Sequence, residues 1–178
     1  MAVNAAGDPS TRSRVLYIVA GGAEPVVRVS ALVTAAQQRG WDTCLVLTPT
    51  AARWLDGELA ALAGQSGHPV RSSYKMPGQD DMLPPPGAML VAPATFNMIN
   101  QWAAGLSETL ALGLVNEALG LGIPLVAVPW VNAPLSRHPA LAASYARLRA
   151  AGVQVLELKA GPPGEEIPWD QALDAFRR

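Results

Sequence analysis

The fold is decided by the stretch VLYIVAGG at residues 15–22. This continuous apolar run, rich in β-branched residues and closed by paired glycines, is typical of a strand buried on both faces that leads into a tight turn. A helical pattern follows it, with Pro25 suited to the first turn and Gly40 at the end. Further apolar strands are predicted at residues 44–47, 88–92, 125–128 and 153–156, with helices between them. Repeated strand and helix units with fully apolar strands predict an α/β protein with a parallel sheet covered on both faces.

The connections between these strands include a second helix and a long loop. The helix is predicted over residues 107–121, with Ser107 as its N-cap and Glu108 in the first turn, where a negative charge is favourable. The stretch at residues 66–86 is polar and rich in proline and glycine, which predicts a loop. Long loops in compact domains are either functional lids or disordered, and composition does not choose between the two.

The composition bounds the size and the partners of the molecule. With 178 residues the chain is long enough for one domain with a core, predicted at residues 14–178 after a flexible N-terminal tail at residues 1–13. Only 15% of the residues are charged and the formal net charge is −1, which disfavours nucleic-acid binding. The low charge and the 50% hydrophobic content favour self-association instead.

The sequence predicts neither a metal site nor a membrane segment. Cys44 lies in the apolar run CLVL at residues 44–47, so we interpret it as a core residue, and no second cysteine exists for a disulfide or a cysteine-based zinc site. No apolar run is long enough for a signal peptide or a transmembrane helix. We therefore expect a cytoplasmic protein.

The loops that follow the strands form the candidate ligand site, because ligands of open parallel sheets bind beyond the carboxyl ends of the strands. These loops are residues 21–24, 48–52, 93–97 and 129–135. The glycine-rich backbone at Gly21 and Gly22 and the hydroxyls of Thr48 and Thr50 can present hydrogen-bond donors to a phosphate. Taken alone, the glycines also fit a simple tight turn, and the threonines also fit helix caps.

The third of these loops carries a recognisable motif together with the segment after it. APATFN at residues 92–97, with the stretch that follows it to Leu110, resembles the PASANT segment and the NG and DNLL motifs of the homo-oligomeric flavin-containing cysteine decarboxylases. Thr95 replaces a serine conservatively, whereas Phe96 and Glu108 depart from the pattern. The motif is therefore kept in order and place, with local changes.

The fourth loop carries a second motif of the same family. PWVNAPL at residues 129–135 resembles the family's PxMNxxMW motif and keeps Pro129 and Asn132. The family's two methionines and its tryptophan are replaced by Val131, Leu135 and Ser136. Upstream, residues 47–54 and 66–70 resemble the matching stretch of bacterial phosphopantothenoylcysteine decarboxylases. The likeness runs from residue 15 to residue 156.

The resemblance implies a fold, a cofactor and an assembly. Members of this family fold as a flavodoxin-like, or Rossmann-like, three-layer α/β/α sandwich, form homotrimers or dodecamers, and hold FMN at the subunit interface. Their chemistry is flavin-dependent oxidation of a thiol in a small molecule or peptide, followed by decarboxylation. The chain is thus identified by resemblance as a divergent member of this family.

The resemblance also implies roles for individual residues. Near the ribityl-phosphate of FMN it places Gly21, Gly22 and Ala23, and on the phosphate itself Thr48 and Thr50. Along the isoalloxazine ring or the trimer contact it places Pro93, Ala94, Thr95 and Asn97. Asn132 would contact the substrate carboxylate, and no metal ligand is implied.

Two functional residues of the family have no counterpart. The catalytic histidine upstream of PASANT is replaced by the stretch QDD at residues 79–81, and the carboxylates there have an ordinary pKa of about 4, which suits a solvated loop better than a base. His68 and His138 fall elsewhere and are interpreted as surface or helix-end residues.

The reducing cysteine of the phosphopantothenoylcysteine enzymes is also absent from residues 159–166, which disfavours a role in coenzyme A synthesis. Residues 113–123 lack the charged motif of flavin prenyltransferases.

Three hypotheses follow. The first is a flavin-dependent enzyme acting on a thiol-containing substrate, favoured by Asn132, for which the sequence shows no structural need. The second is a catalytically inactive flavin-binding scaffold with a regulatory or partner-binding role, favoured by the missing histidine. The third is a flavin-free relative in which Phe96 crowds the ring site. Trp130 is suited either to stacking on a flavin or to packing beside a strand end.

Overall fold

The structure is a computed structural model and describes residues 13–157 and 168–176. Within these ranges, five parallel strands form one sheet in the order β2-β1-β3-β4-β5. The strands are β1 (Val15–Ala20), β2 (Asp42–Leu47), β3 (Ala88–Ala94), β4 (Leu125–Pro129) and β5 (Gln154–Val155). The parallel sheet predicted from the apolar runs is confirmed.

Helices connect the strands and continue to the end of the described chain. They are α1 (Val29–Gln38), α2 (Pro49–Trp54), α3 (Leu59–Ser66), α4 (Phe96–Ala103), α5 (Leu110–Gly120), α6 (Ala133–Ser136), α7 (Pro139–Ala150) and α8 (Trp169–Asp174). Short 3-10 helices at Glu24–Arg28 and Asp56–Glu58 precede α1 and α3. Among these described helices, none combines the length and apolar character that a membrane span requires.

The helices form two layers, one on each face of the sheet. Successive strand residues point to opposite faces, so Tyr17 and Val19 pack with α4, α5 and α7, whereas Leu16 and Ile18 pack with α1, α2, α3 and α8. Because both faces are covered, every residue of β1 is buried, which explains its unbroken apolar sequence. The predicted three-layer, flavodoxin-like α/β/α sandwich is confirmed.

The strand order creates a crevice beside β1. The chain leaves β1 to form β2 on one side and returns to form β3 on the other side. The loops after β1 and β3 therefore lead to helices on opposite faces of the sheet, and such a switch point is where ligands of these folds bind. The backbone N–H of Gly21 donates to the carbonyl of Pro93 at 2.9 Å and joins the two loops at this point.

The predicted start of the helix before β4 is wrong. The helix α5 begins at Leu110, and its N-cap is Thr109, whose hydroxyl accepts from the backbone N–H of Leu112 at 3.3 Å. Ser107 makes hydrogen bonds with other residues instead of capping the helix. Its hydroxyl accepts from Asn116 at 3.0 Å, and its carbonyl accepts from the Tyr74 hydroxyl at 2.8 Å. Both residue types are good caps, and tertiary contacts decide between them.

Other differences concern short or irregular segments. Two helices, α3 and α6, are not predicted from the sequence, and the helix expected at Pro25 begins instead as a 3-10 turn. The predicted loop at residues 66–86 is largely irregular, with one parallel bridge between Val46 and Arg71. Residues 1–12 of the predicted tail lie outside the described residues, as do residues 158–167, which include the 159–166 segment that lacks the family's cysteine.

Cys44 occupies the core, as its apolar neighbours predicted. Its side chain is buried in β2, and burial, with a smaller contribution from Asp42, raises the pKa of the thiol to about 12. A buried thiol with a raised pKa is an unreactive one. Cys44 is therefore a structural residue.

Candidate functional site

A cleft of about 860 Å³ opens at the switch point of the sheet. Seven of the predicted site residues line it, namely Gly22, Ala23, Thr48, Thr50, Thr95, Asn97 and Asn132. The other three, Gly21, Pro93 and Ala94, are buried at the adjoining ends of β1 and β3. The structure thus gathers the predicted site residues of four separate loops at one end of the sheet.

Two glycines let these loops approach each other closely. A Cβ atom on Gly21 would lie 2.9 Å from the carbonyl oxygen of Pro93 and 2.9 Å from Cγ2 of Thr95. A Cβ atom on Gly22 would lie 2.6 Å from Cγ2 of Thr50. Real Cβ contacts are longer than this, so a side chain at either position would not fit. The two glycines therefore let the loops of the cleft pack together, in addition to forming a turn.

Four threonine hydroxyls line the cleft as available donors. Those of Thr48, Thr95 and Thr109 accept backbone N–H groups at 3.4, 3.2 and 3.3 Å and so cap α2, α4 and α5. The hydroxyl of Thr50 accepts from Arg53 at 3.3 Å. Each hydroxyl thus accepts one hydrogen bond, while none of the described residues accepts a hydrogen bond from its own proton.

This donor set suits an oxygen-rich anionic ligand. The cap role that the sequence left open for Thr48 is therefore compatible with ligand binding. A phosphate or ribityl oxygen would accept from these protons without breaking the caps. By the chemistry of its donors and the closeness of its glycine backbone, the cleft fits FMN.

Asn132 has the structural role that the sequence did not reveal. It is the N-cap of α6, and its Oδ1 accepts from the backbone N–H of Leu135 at 3.0 Å. Because Oδ1 is used in the cap, the two Nδ2 donors remain for a ligand in the cleft. The presence of Asn132 therefore no longer argues for catalysis by itself, although the residue lines the cleft and its Nδ2 donors are not used in the cap.

Apolar side chains also line the cleft, among them Phe96, Leu112, Trp130, Val131 and Leu135. Trp130 also packs against the core on the α1 side, so its packing role and its access to a ligand coexist. Phe96 contacts the ring of His138 edge to face, with centroids 5.6 Å apart. With Phe96 in place the cleft still measures about 860 Å³, within the range of about 300–1,000 Å³ found for ligand pockets.

Sequence reasoning missed the part of the cleft contributed by α4 and the start of α5. Gln101, Glu108 and Thr109 line the cleft, and Gln101 donates to the Glu108 carboxylate at 3.1 Å. The signal was present in the DNLL-like segment, where Thr109 stands as a possible cap. The incorrect helix start at Ser107 concealed it.

The histidines and the acidic loop lie outside the lining of the cleft. His138 caps α7 by accepting the backbone N–H of Ala140 on Nδ1, and His68 pairs with Asp42 at 2.8 Å, so both are helix-end or surface residues as predicted. Asp81 is exposed and pairs with Lys75 at 2.7 Å. The interpretation of Asp81 as a solvated loop charge is confirmed.

A second cavity of about 470 Å³ lies between the 71–86 segment and α5. The Tyr74 hydroxyl fixes the segment there by bonding the carbonyls of Ser107 and Thr109 at 2.8 and 3.0 Å, directly above Gly113. Tyr17 bonds the carbonyl of Pro84 at 2.9 Å, and burial is the main cause that raises the pKa of its phenol to about 12. The Tyr74 bonds hold the long loop against the start of α5, which borders the main cleft, and the Tyr17 bond ties the loop to β1.

A family model described as Flavoprotein matches residues 5–175 of the chain. No curated protein matches it at a significant level. One similar solved structure is MrsD from Bacillus sp. HIL-Y85/54728, with 20% sequence identity and a TM-score of 0.73 over 93% of this chain and 95% of MrsD.

Two further solved structures show the same fold. TvaF, described as an FMN-dependent cysteine decarboxylase from thioviridamide biosynthesis, is 18% identical with a TM-score of 0.74, over 90% of this chain and 94% of TvaF. The peptidyl-cysteine decarboxylase EpiD is 18% identical with a TM-score of 0.74, over 91% of this chain and 96% of EpiD. At these identities the likeness shows a shared fold over nearly the whole of both chains.

Proposed function

Because the chain belongs to the Flavoprotein family, we propose that it binds FMN in the cleft and acts on a thiol-containing, cysteine-like small molecule or peptide by flavin-dependent oxidation and decarboxylation. The observation that carries the proposal is the set of threonine protons and glycine backbone at the switch point. Cysteine decarboxylases among the structural neighbours support the same chemistry.

Each group of cleft residues has a separate task in this proposal. Gly21 and Gly22 carry no side chain, so the ribityl-phosphate can approach their backbone closely. The hydroxyls of Thr48 and Thr50 donate hydrogen bonds to the phosphate. The segment at residues 93–97 borders the isoalloxazine ring. FMN, when bound, supplies a two-electron acceptor for oxidation of the thiol.

Asn132 holds the substrate in this proposal. Its two Nδ2 donors bind the carboxylate of the cysteine-like group, while Oδ1 stays in the helix cap. The cap fixes the direction of the amide before the substrate arrives, which limits the freedom lost on binding. Asn132 is thus proposed to place the group that is lost as carbon dioxide.

The Asn132→Asp variant separates the cap from the donors. Aspartate caps a helix as well as asparagine does, but it replaces the two N–H donors by a negative charge that repels the substrate carboxylate. We expect flavin bleaching by a cysteine-ending peptide under anaerobic conditions to slow by about 10- to 100-fold, while FMN stays bound. Stopped-flow absorbance measures both quantities.

Two controls complete this experiment. The Asn132→Ala variant loses the cap as well and is expected to lose about 0.5–2 kcal/mol of stability, which separates a folding effect from a binding effect. An Asn132→Asp protein that bleaches as fast as the wild type would contradict the role of Asn132. A wild-type protein that keeps its FMN oxidised with every thiol offered would favour the inactive scaffold.

The assembly and location stay proposals. Exposed large apolar side chains, such as Val27, Trp54 and Leu121, support self-association. A homotrimer or a dodecamer is the assembly proposed, by resemblance to the family, and the cytoplasm is the proposed location.

A further inference from the structure

The lining of the cleft, as far as the structure describes it, holds no positive charge for the phosphate of FMN. Among the lining residues that the structure describes, Glu108 is the one ionisable side chain, and it is acidic. A phosphate monoester carries a charge of about −1.5 to −2 at pH 7. Hydroxyl and backbone donors bind such a group, but they do not balance its charge. A cation just outside the lining would strengthen the binding of a phosphate, because hydrogen bonds between charged groups are stronger than neutral ones.

Arg53 is a cation joined to the lining by a hydrogen bond. Its Nη2 donates to Oγ1 of Thr50 at 3.3 Å, one helical turn earlier in the chain. The side chain is exposed, and no carboxylate among the described residues lies within ion-pair distance of it. Arg28, on the 3-10 helix after β1, is different, because it pairs with Glu24 at 3.1 Å. The charge of Arg53 remains available.

The contact with Arg53 also controls the direction of the Thr50 hydroxyl. The methyl group of Thr50 packs against Gly22, where even one added Cβ atom would lie 2.6 Å away. With the methyl held there, Oγ1 accepts from Arg53, so the hydroxyl proton is left to donate to a further acceptor. Arg53 therefore prepares the hydroxyl as a donor and brings a positive charge to the same place.

We propose that Arg53, acting directly and through Thr50, makes the cleft selective for a flavin that carries a phosphate. This inference rests on the proposed FMN function and adds to it a determinant of ligand choice. Arg53 is a positioning residue that acts at the phosphate end of the cleft and takes no part in the oxidation. Its removal weakens binding of FMN and leaves binding of riboflavin, which lacks the phosphate, nearly unchanged.

The experiment compares FMN and riboflavin on the full-length protein. Each flavin is titrated by quenching of its fluorescence against the wild type, Arg53→Gln, Arg53→Lys and, as a control with the same loss of charge, Arg147→Gln on the exposed surface of α7. We expect Arg53→Gln to weaken FMN about tenfold or more, as for loss of a charged hydrogen bond. Riboflavin binding and the Arg147→Gln titrations are expected to match the wild type.

The dependence of flavin preference on salt and on the charge at residue 53 is a second measurement. A purely structural role of Arg53 would not affect it. The preference of the wild type for FMN over riboflavin is expected to shrink at high ionic strength, and the Arg53→Lys variant, which keeps the charge, is expected to retain part of it. Arg53 is exposed, so its variants are expected to unfold at the wild-type temperature.

The outcomes separate this inference from the proposed function. A wild type that prefers FMN, with an Arg53→Gln variant of equal preference, would overturn the role of Arg53 alone. Equal losses for both flavins in Arg53→Gln would overturn it too, because selectivity would then be unaffected. A wild type that binds neither flavin would overturn both proposals.

Discussion

The Gly21→Ala variant is expected to lose about 1–3 kcal/mol of unfolding free energy, as overpacked sites do, and to bind FMN poorly. The added Cβ atom would lie 2.9 Å from the backbone oxygen of Pro93, which cannot rotate away as a side chain can. The N–H of Gly21 also bonds that oxygen at 2.9 Å, so a shift of the loop breaks the hydrogen bond that joins the loops after β1 and β3. Urea unfolding and a flavin titration measure the two effects.

Gly64→Ala is the matched control for this variant. Gly64 is an exposed residue of α3, and a Cβ atom there would meet no atom of the described residues within 4 Å. Alanine is a better helix former than glycine, so this variant is expected to gain about 0.5–1 kcal/mol and to bind FMN as the wild type does. If Gly21→Ala were as stable as Gly64→Ala, the close approach of the two loops would not be a requirement of the fold.

The Trp102→Ala variant is expected to lose about 3–5 kcal/mol of unfolding free energy. Trp102 is 2% exposed and lies on the inner face of α4, in the core that α4 shares with α5 and α7. Removing it leaves a cavity beneath the helix whose first residue, Phe96, lines the cleft. Flavin affinity is therefore expected to fall along with stability, as thermal unfolding and FMN titration can show.

Trp102→Phe tests whether the loss comes from volume. The Nε1 donor of Trp102 is buried and has no hydrogen-bond partner among the described residues, and an unsatisfied buried donor costs about 1–3 kcal/mol. Phenylalanine removes this donor and keeps most of the ring, so the variant is expected to lose much less stability than Trp102→Ala. Equal losses in the two variants would mean that the indole nitrogen has a partner that matters.

The sequence predicts the sheet well because burial on both faces leaves a simple pattern. The strands β1 and β3 are continuous apolar runs in the sequence, and both are fully buried in the fold. The strand β5 is shorter than its apolar run, because only Gln154 and Val155 pair with β4. Helix α3 was missed because the apolar residues of its sequence, LAALAGQS, do not form a clear stripe along one side of a helix. The sequence also includes a glycine.

The site was predicted in part, for a related reason. Residues directly after strands, such as Gly22, Thr48 and Thr95, are positioned by the sheet, and the order of strands determines that they meet. Gln101 reaches the cleft only through the packing of α4 and α5, which no local pattern reveals. Thr109 was missed because the helix start was placed at Ser107. The cap made by Asn132 was missed because α6, at Ala133–Ser136, is too short to show a helical period.

The most direct measurement is the visible absorption of the purified full-length protein before and after incubation with FMN and gel filtration. The structure and the proposed function predict that oxidised FMN stays with the protein in an equimolar amount, and that Gly21→Ala retains far less of it. A colourless protein that takes up no FMN under these conditions would contradict the assignment of the cleft as a flavin site.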